Sequence, residues 1–188
     1  MMRRIVWITL AISAALIAAA AVVPARAFSA QPISEHFLLA GEHEGLDFCG
    51  VTVDEVFRGT FTRIAFFDNN GNFVRFQETA SGTSIFTAAN GKSVTLTFAQ
   101  RFSAPPLIID EQAGTSTYVF TITGMLAQLR AAQGGVLIRD AGLLTFAITF
   151  DLETGAFISN EVVALNGPHP ELESGFTALC EAFTQALA

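Results

Sequence analysis

Basic residues are scarce in this 188-residue chain, which has 10 Lys and Arg residues against 17 Asp and Glu residues. Affinity for nucleic-acid backbones comes largely from basic side chains that neutralise phosphates. The shortage therefore argues against a nucleic-acid partner. The excess of acidic groups mainly favours solubility.

The motifs of common enzymes and metal sites are also missing. The chain has no Gly-x-Ser-x-Gly nucleophile elbow, no His-Glu-x-x-His pair and no Cys-x-x-Cys spacing. We therefore predict no catalytic residues, no metal site and no cofactor. An enzyme with a shallow site stays open as an alternative, because paired carboxylates can be placed only once the fold is known.

The first 27 residues have the pattern of a secretory signal peptide. Arg3 and Arg4 precede a run from Ile5 to Val23 that is apolar apart from two hydroxyl residues, and Ala25-Arg26-Ala27 supplies a cleavage site. We expect cleavage after Ala27, export to the medium or the outside of the cell envelope, and no stable membrane span afterwards. The run is also long enough for an uncleaved anchor, since about 18 apolar residues span a bilayer.

Cleavage leaves a chain whose length suits one domain with its own core. It also removes three arginines, so seven basic residues face 17 acidic ones and the net charge becomes about −10. Residues 28–47 show little periodicity and predict an extended acidic arm, followed by a domain over 48–188. The arm has side chains that zinc binds but not the spacing of a zinc site: Glu35, His36, Glu42, His43, Glu44 and Asp47.

The mature chain has two cysteines, Cys49 near its start and Cys180 near its end. In an oxidising compartment an even pair is most simply one disulfide, which here closes nearly the whole domain. The alternative is a metal pair or a reactive thiol, and neither cysteine has a neighbouring histidine to support it.

Alternation of apolar and polar residues dominates the chain after Cys49, for example over Val94–Phe98, Thr115–Thr123 and Leu144–Phe150. Two intervening segments contain Asn-Gly, which tolerates the positive φ of tight hairpins. One of them, Asp68–Asn72, resembles a calcium loop, but the glycine and glutamate that such a loop needs further on are absent. Strands are predicted near 50–57, 59–67, 73–79, 83–88, 93–101, 115–124, 135–140, 143–151 and 156–165.

Short strands joined by hairpins predict a mainly β, antiparallel meander, because parallel crossovers need a dozen or more linking residues. Each strand has an apolar face to bury, so the sheet either closes into a barrel or folds into a sandwich. The even spacing of the hairpins favours the barrel. Residues 125–132 are expected to form a short helical turn between two strands.

The chain ends in an amphipathic pattern that predicts a helix over residues 171–187, packed on the β domain. Two glutamates stand in its first turn, where the helix dipole favours negative charge. Just before it, His169 lies between two prolines and is expected to be an exposed loop histidine. The apolar stripe of the helix consists of Leu172, Phe176, Leu179, Phe183 and Leu187.

Phenylalanine is in marked excess, with 18 residues against one Tyr and one Trp. Buried Phe side chains usually just fill a core. Some of them could instead line a dry cavity for an apolar ligand, which a small barrel can hold. The candidates for lining such a cavity are Phe98, Phe120, Phe146 and Phe150.

Four short motifs are shared with a group of small secreted proteins of unknown function from actinobacteria and related bacteria, which the chain resembles over residues 47–183. The resemblance implies a secreted β-rich domain with a disulfide, and it carries no activity or site residues. The motifs are Asp47-Phe48-Cys49-Gly50, Gly91-Lys92-Ser93-Val94, Gly167-Pro168-His169-Pro170 and the late Cys180.

Our leading hypothesis is a secreted, non-enzymatic β-barrel module that binds an unknown partner, either an apolar small molecule in a Phe-lined interior or a protein. The alternative is a structural or protein-interaction domain whose core is filled. An interior cavity of roughly several hundred Å³ favours the first hypothesis, and tight packing throughout favours the second.

Overall fold

A computed structural model describes residues 31–175 and 177–188 of the chain. The predicted signal peptide lies outside the described residues, as does Phe176. Two short helices, α1 (Pro170–Glu173) and α2 (Ala178–Leu187), follow a set of eight strands. The strands are β1 (Ile33–Phe48), β2 (Val51–Phe67), β3 (Phe73–Ala88), β4 (Ser93–Ala104), β5 (Ile108–Asp110), β6 (Thr115–Ala131), β7 (Val136–Asp151) and β8 (Phe157–Asn166).

All eight strands belong to one antiparallel sheet with the order β1-β2-β3-β4-β6-β7-β8, and the short β5 pairs with β6. The predicted mainly β, antiparallel meander is therefore confirmed. β1 and β8 lie at opposite edges and do not pair with each other. The sheet is thus open, and its closure into a barrel is not confirmed.

The two Asn-Gly hairpins are confirmed, with Gly71 and Gly91 at φ +82° and +80°. Three other predicted breaks, at residues 58, 80–82 and 141–142, are wrong, because β2, β3 and β7 run through them without interruption. A glycine lies in or directly beside each of them: Gly59, Gly82 and Gly142. A glycine inside a strand often marks a bulge or a close approach of other groups rather than a turn. Each of these three glycines has such a close neighbour.

Most of the segment predicted to be an extended arm forms the edge strand β1 (Ile33–Phe48), which pairs with β2. Residues 33–48 of this strand are mostly exposed on both faces. An edge strand with two exposed faces has no apolar alternation to reveal it, which explains the missed prediction. The predicted helical turn over 125–132 is also wrong: residues 125–131 belong to β6, which has a register shift there.

A compact core lies where α2 packs across one end of the sheet. Phe183 of α2 is fully buried, and its ring centroid lies 4.7 Å from that of Phe48 and 5.3 Å from that of Phe86. The predicted disulfide between Cys49 and Cys180 is confirmed and ties α2 to the β1–β2 turn. We call this part of the molecule the capped end.

The predicted helix over 171–187 is divided into α1 and α2 by a turn in which Gly175 has a φ of +68°. Glu171 of α1 accepts a hydrogen bond from the backbone N–H of Leu179 in the first turn of α2. Ser174 Oγ accepts another, from the N–H of Ala178, at 3.0 Å. These side chains satisfy first-turn donors that have no partner within the helix.

A line of glycines crosses β6, β7 and the end of β8. Gly124 lies opposite Gly142, and both have a positive φ, +109° and +142°. Gly167, with a φ of +108°, lies against the backbone of Ala141 and Gly142. A Cβ at any of the three would collide with a carbonyl oxygen of the neighbouring strand. The line separates the capped end from the rest of the sheet.

Candidate functional site

One face of the sheet has most of the aromatic side chains. Residues directly opposite each other on paired strands point to the same side of a sheet, and successive residues along a strand alternate sides. The pairing registers therefore place Phe86 of the capped end and ten further rings on one side. We call the surface of these ten rings the aromatic face: Phe37, Phe57, Phe61, Phe76, Phe98, Phe102, Tyr118, Phe120, Phe146 and Phe150.

The rings of the aromatic face contact one another across the strands. The centroid of Phe102 lies 5.1 Å from that of Phe120, which lies 5.4 Å from that of Phe146. In a second group on the same face, the ring centroid of Phe98 lies 6.5 Å from that of Phe57 and 6.3 Å from that of Phe61. Offset and edge contacts at these distances stabilise ring clusters.

Small residues of β3 allow the rings of β2 and β4 to meet. Phe98 and Phe57 belong to strands that are separated by β3, whose residues at this level are Ala80, Gly82 and Ser84. A Cβ on Gly82 would lie 2.6 Å from two ring carbons of Phe98. The missing side chain thus leaves the space that the Phe98 ring occupies.

The structure places all four predicted ligand-lining residues on the aromatic face. Phe120 is 6% exposed and belongs to the packed interior of the ring cluster, whereas Phe98, Phe146 and Phe150 are half-buried. Phe120 and Phe146 are directly opposite neighbours, while Phe98 lies in the separate group formed with Phe57 and Phe61. The four residues therefore share a surface and do not surround one common cavity.

A few polar groups lie among the rings of this face. Arg63 forms an ion pair with Glu78, directly opposite on β3, and its guanidinium lies 4.7 Å from the centroid of the Phe37 ring. Burial, together with the charge of Glu78, raises the pKa of Tyr118 to about 12, so its hydroxyl is protonated at neutral pH. An apolar surface with a few polar groups is typical of sites for small molecules.

An open groove of about 470 Å³ lies over the middle of β1 to β4. Most of its lining side chains belong to the polar side of the sheet, opposite the aromatic face. These are Leu38, Ala40, Arg58, Thr60, Ser81, Thr83 and Thr97.

Ser84, Glu55 and His43 are the residue types of a catalytic triad, but their hydrogen bonds are not arranged as in a triad. Ser84 Oγ donates to Glu55 Oε1 at 2.6 Å, and His43 Nδ1 lies 3.1 Å from Glu55 Oε2. In a triad the imidazole contacts the hydroxyl and takes its proton, and the carboxylate orients the imidazole. Here the carboxylate stands between the two, so the histidine cannot activate the serine.

The arm residues considered as metal ligands are spread along β1. His36 Nδ1 lies 3.0 Å from Thr62 Oγ1, and His43 contacts Glu55. Within the residues that the structure describes, no three His, Cys, Asp or Glu side chains gather as a metal site would require.

The carboxylate of Asp68 serves its own hairpin turn. Its Oδ1 atom accepts from the backbone N–H groups of Asn70 and Asn72 at 2.8 Å, and Oδ2 accepts from the Asn72 side chain. Hydrogen bonds from Asn72 lower the pKa of Asp68. The hairpin interpretation of Asp68–Asn72 is thereby confirmed.

His169 is the residue that sequence reasoning misjudged most. Predicted to be exposed, it is fully buried, with Nδ1 2.7 Å from Asp140 Oδ1 and Nε2 3.2 Å from the carbonyl oxygen of Asn166. Both ring nitrogens thus have a hydrogen-bond partner inside the fold. Complete burial excludes contact with a substrate, so the contact between His169 and Asp140 is structural.

Comparison of the chain with protein families, with curated proteins and with solved structures gave no match. The resemblance to small secreted actinobacterial proteins therefore stays a prediction. In the part of the chain that the structure describes, no helix is both long and apolar enough to cross a membrane.

Proposed function

We propose that this protein is a non-enzymatic binding module whose aromatic face takes an elongated apolar ligand. The observation that carries the proposal is the extent of the ring surface, which runs from β1 to β7 while α2 packs only on the capped end. Nine of its ten rings are neither fully buried nor fully exposed. An open surface accepts a long ligand without the enclosed cavity that a closed barrel would provide.

The polar groups on this face suggest which chemical class of ligand it binds. Arg63, Glu78 and the protonated hydroxyl of Tyr118 lie at the part of the face distant from α2. A long alkyl chain with one polar end, such as a fatty acid, suits rings along its length and hydrogen-bonding groups at one end. The Arg63 guanidinium is the group that a ligand carboxylate would contact.

We place this module outside the cytoplasm. The signal-like segment 1–27 supports export, and the disulfide between Cys49 and Cys180 is compatible with an oxidising compartment. A binding module exported in this way would meet apolar ligands in the medium or in the cell envelope.

The experiment is a titration of the exported protein with a fluorescent fatty acid, with displacement by unlabelled palmitate as the specificity test. Phe98→Ala and Phe146→Ala remove half-buried rings of the aromatic face, and we expect each to weaken binding about tenfold or more, since each removes roughly 1.5–3 kcal/mol of apolar contact. Ile85→Ala is the matched control, because Ile85 is 44% exposed on the opposite side of the sheet.

Saturable binding that both Phe variants weaken and the Ile85 variant leaves unchanged supports the proposal. The absence of displaceable binding to the wild-type protein contradicts it, as does an equal loss in all three variants. Phe120→Ala is not informative here, because its 6% exposure makes it a core substitution.

The second candidate function is a structural or protein-interaction domain. The observation that favours it is the exposure of apolar side chains on both edge strands, including Leu38 on β1 and Val163 on β8 at 73% and 56%. If the titration finds no apolar ligand, this candidate becomes the working hypothesis.

A further inference from the structure

The open sheet leaves two edge strands, and they differ in regularity. β1 pairs with β2 without a register shift from Ile33 to His43, whereas β8 pairs with β7 through two register shifts within ten residues. A bulged edge is poorly suited to pairing with a further strand, and a regular edge offers an unbroken row of backbone donors and acceptors.

The middle of β1 lacks the usual protection of an exposed edge. Native edge strands are commonly protected by lysine, proline or inward-pointing charges. Here Leu38 and Leu39 are 73% and 46% exposed, and residues 37–41 contain no charged residue and no proline. We propose that β1 pairs antiparallel with β1 of a second copy of this chain, about a two-fold axis at Leu39, to form one continuous sheet.

The geometry of pairing restricts the register to a few choices. Opposite residues must point to the same side of the joined sheet, so an odd-numbered residue of one copy faces an odd-numbered residue of the other. The two-fold axis must therefore pass through a residue rather than between two residues. Moving the axis from one residue to the next changes every opposing pair.

Charge complementarity selects Leu39 among these centres. With the axis at Leu39, Glu35 faces His43 of the second copy and His36 faces Glu42, while Leu38 faces Ala40 between them. Both histidine–glutamate pairs occur twice by symmetry. The dimer thus has an apolar centre flanked on each side by two favourable polar pairs.

Neighbouring registers lose these pairs. With the axis at Leu38, Glu35 faces Gly41 and His36 faces Ala40, so that no histidine meets a glutamate. With the axis at Ala40, His36 faces Glu44, which keeps one histidine–glutamate pair instead of two, but Leu38 faces Glu42 and Phe37 faces His43, which places apolar side chains against polar ones.

Both histidines have an atom available for such contacts. In His36 and His43 the Nδ1 atom already lies near Thr62 and Glu55, respectively, of the same chain. Among the described residues the Nε2 atom of neither makes a hydrogen bond, and both side chains are exposed. The paired segment, from Glu35 to His43, is about 27 Å long at 3.4 Å per residue.

The first test is a charge exchange, read as the dimer Kd by analytical ultracentrifugation of the exported protein. His36→Glu places two glutamates opposite each other twice per dimer, and we expect the Kd to rise about tenfold or more. Adding Glu42→His restores a histidine opposite a glutamate and should return the Kd to near the wild-type value. Glu44→His is the control, because Glu44 faces Ser34 in this register.

The second test is a cross-link at the axis. Leu39→Cys brings two thiols together at a Cα separation of about 4.5–5.5 Å, within the range of a disulfide. Oxidised glutathione should then link the two chains, accepting the two hydrogens that the thiols lose. Leu38→Cys is the control, because its two copies are offset by two residues along the strands, beyond disulfide reach.

A dimer with charge-exchange rescue and a cross-link specific to residue 39 supports the proposal. A protein that is monomeric at about 100 μM overturns it, since a dimer too weak to form there has a Kd above that concentration. So does a folded His36→Glu/Glu42→His variant whose Kd does not return toward the wild-type value. Equal cross-linking of Leu38→Cys and Leu39→Cys also overturns it. The test does not depend on any ligand of the aromatic face.

Discussion

Replacing His169 by leucine is expected to destabilise the fold by about 3–5 kcal/mol, the usual cost of leaving a buried carboxylate without its partner. His169 is 0% exposed and Asp140 is 5% exposed, and their 2.7 Å contact joins the Gly167–Pro170 segment to β7. Leucine keeps an apolar side chain of similar length at the site, so little of the loss comes from an empty cavity. For a domain of this size the loss corresponds to a decrease in Tm of roughly 6–20 °C.

The surroundings of Asp140 increase this cost. Glu171 lies near enough that the negative charge of Asp140 contributes to raising the pKa of Glu171, after burial as the larger cause. Without the imidazole, the Asp140 carboxylate would remain buried beside a second acidic group and without its hydrogen-bond partner.

The double variant Asp140→Leu/His169→Leu separates this explanation from simple loss of packing. It removes both polar partners, and replacement of a buried polar pair by apolar residues of similar volume is often neutral. We therefore expect the double variant to be more stable than His169→Leu alone and to lie within about 2 kcal/mol of the wild type.

Urea unfolding followed by far-ultraviolet circular dichroism, with the disulfide intact, measures these differences. If the double variant is as unstable as the sum of the two single variants, the pair makes no coupled contribution and the argument is wrong. Equal slopes against urea are needed for the comparison, because a changed slope reports a changed denatured state.

Two further predictions concern the backbone and the helix contact. Gly142→Ala should lower the free energy of unfolding by more than about 3 kcal/mol. Gly142 has a φ of +142°, and the new Cβ would overlap the carbonyl oxygen of Asn166. Gly91→Ala is the control and should cost clearly less, because its Cβ meets nothing within 4 Å. Glu171→Gln should flatten the pH dependence of stability. Burial raises the pKa of the Glu171 carboxyl in the folded state, so the folded state keeps a proton at pH values where the unfolded state has lost it. The free energy of unfolding therefore falls as the pH rises from the ordinary pKa of a glutamate to the raised one. Urea midpoints between pH 4 and 7 test this, and an unchanged slope against pH contradicts it.

The strand pattern was predictable where one face of a strand is buried. β4 and the middle of β6 and β7 alternate cleanly, and the Asn-Gly turns define two of the hairpins. β1 was not predictable in this way, because its two exposed faces remove the periodicity. The continuity of β2 through Gly59 also depends on rings from the same face packing over a glycine, which no local pattern reveals.

The candidate site was predictable only in part. Alternation alone puts Phe146 and Phe150 on one side of β7, and the pairing register adds Phe120 and Phe98 to that side. The exposure of these four rings depends on whether the sheet closes into a barrel. Closure is set by the twist of the strands and by the pairing of the two edge strands, and no local run of residues determines it. The burial of His169 was equally hidden, since its partner Asp140 is 29 residues away in sequence.

The elements that fix the fold are concentrated at the capped end. The disulfide, the core around Phe183 and the contact of His169 with Asp140 all stabilise that end or the segment that leads to α2. Among the residues that the structure describes, the aromatic face beyond the line of glycines has no such cross-connection and no helix packed over it. Because partly exposed rings contribute less to stability than fully buried ones, substitutions such as Phe98→Ala should leave the fold intact. The part of the sheet that is best suited to bind a ligand is therefore also the part that can change with least damage to the fold.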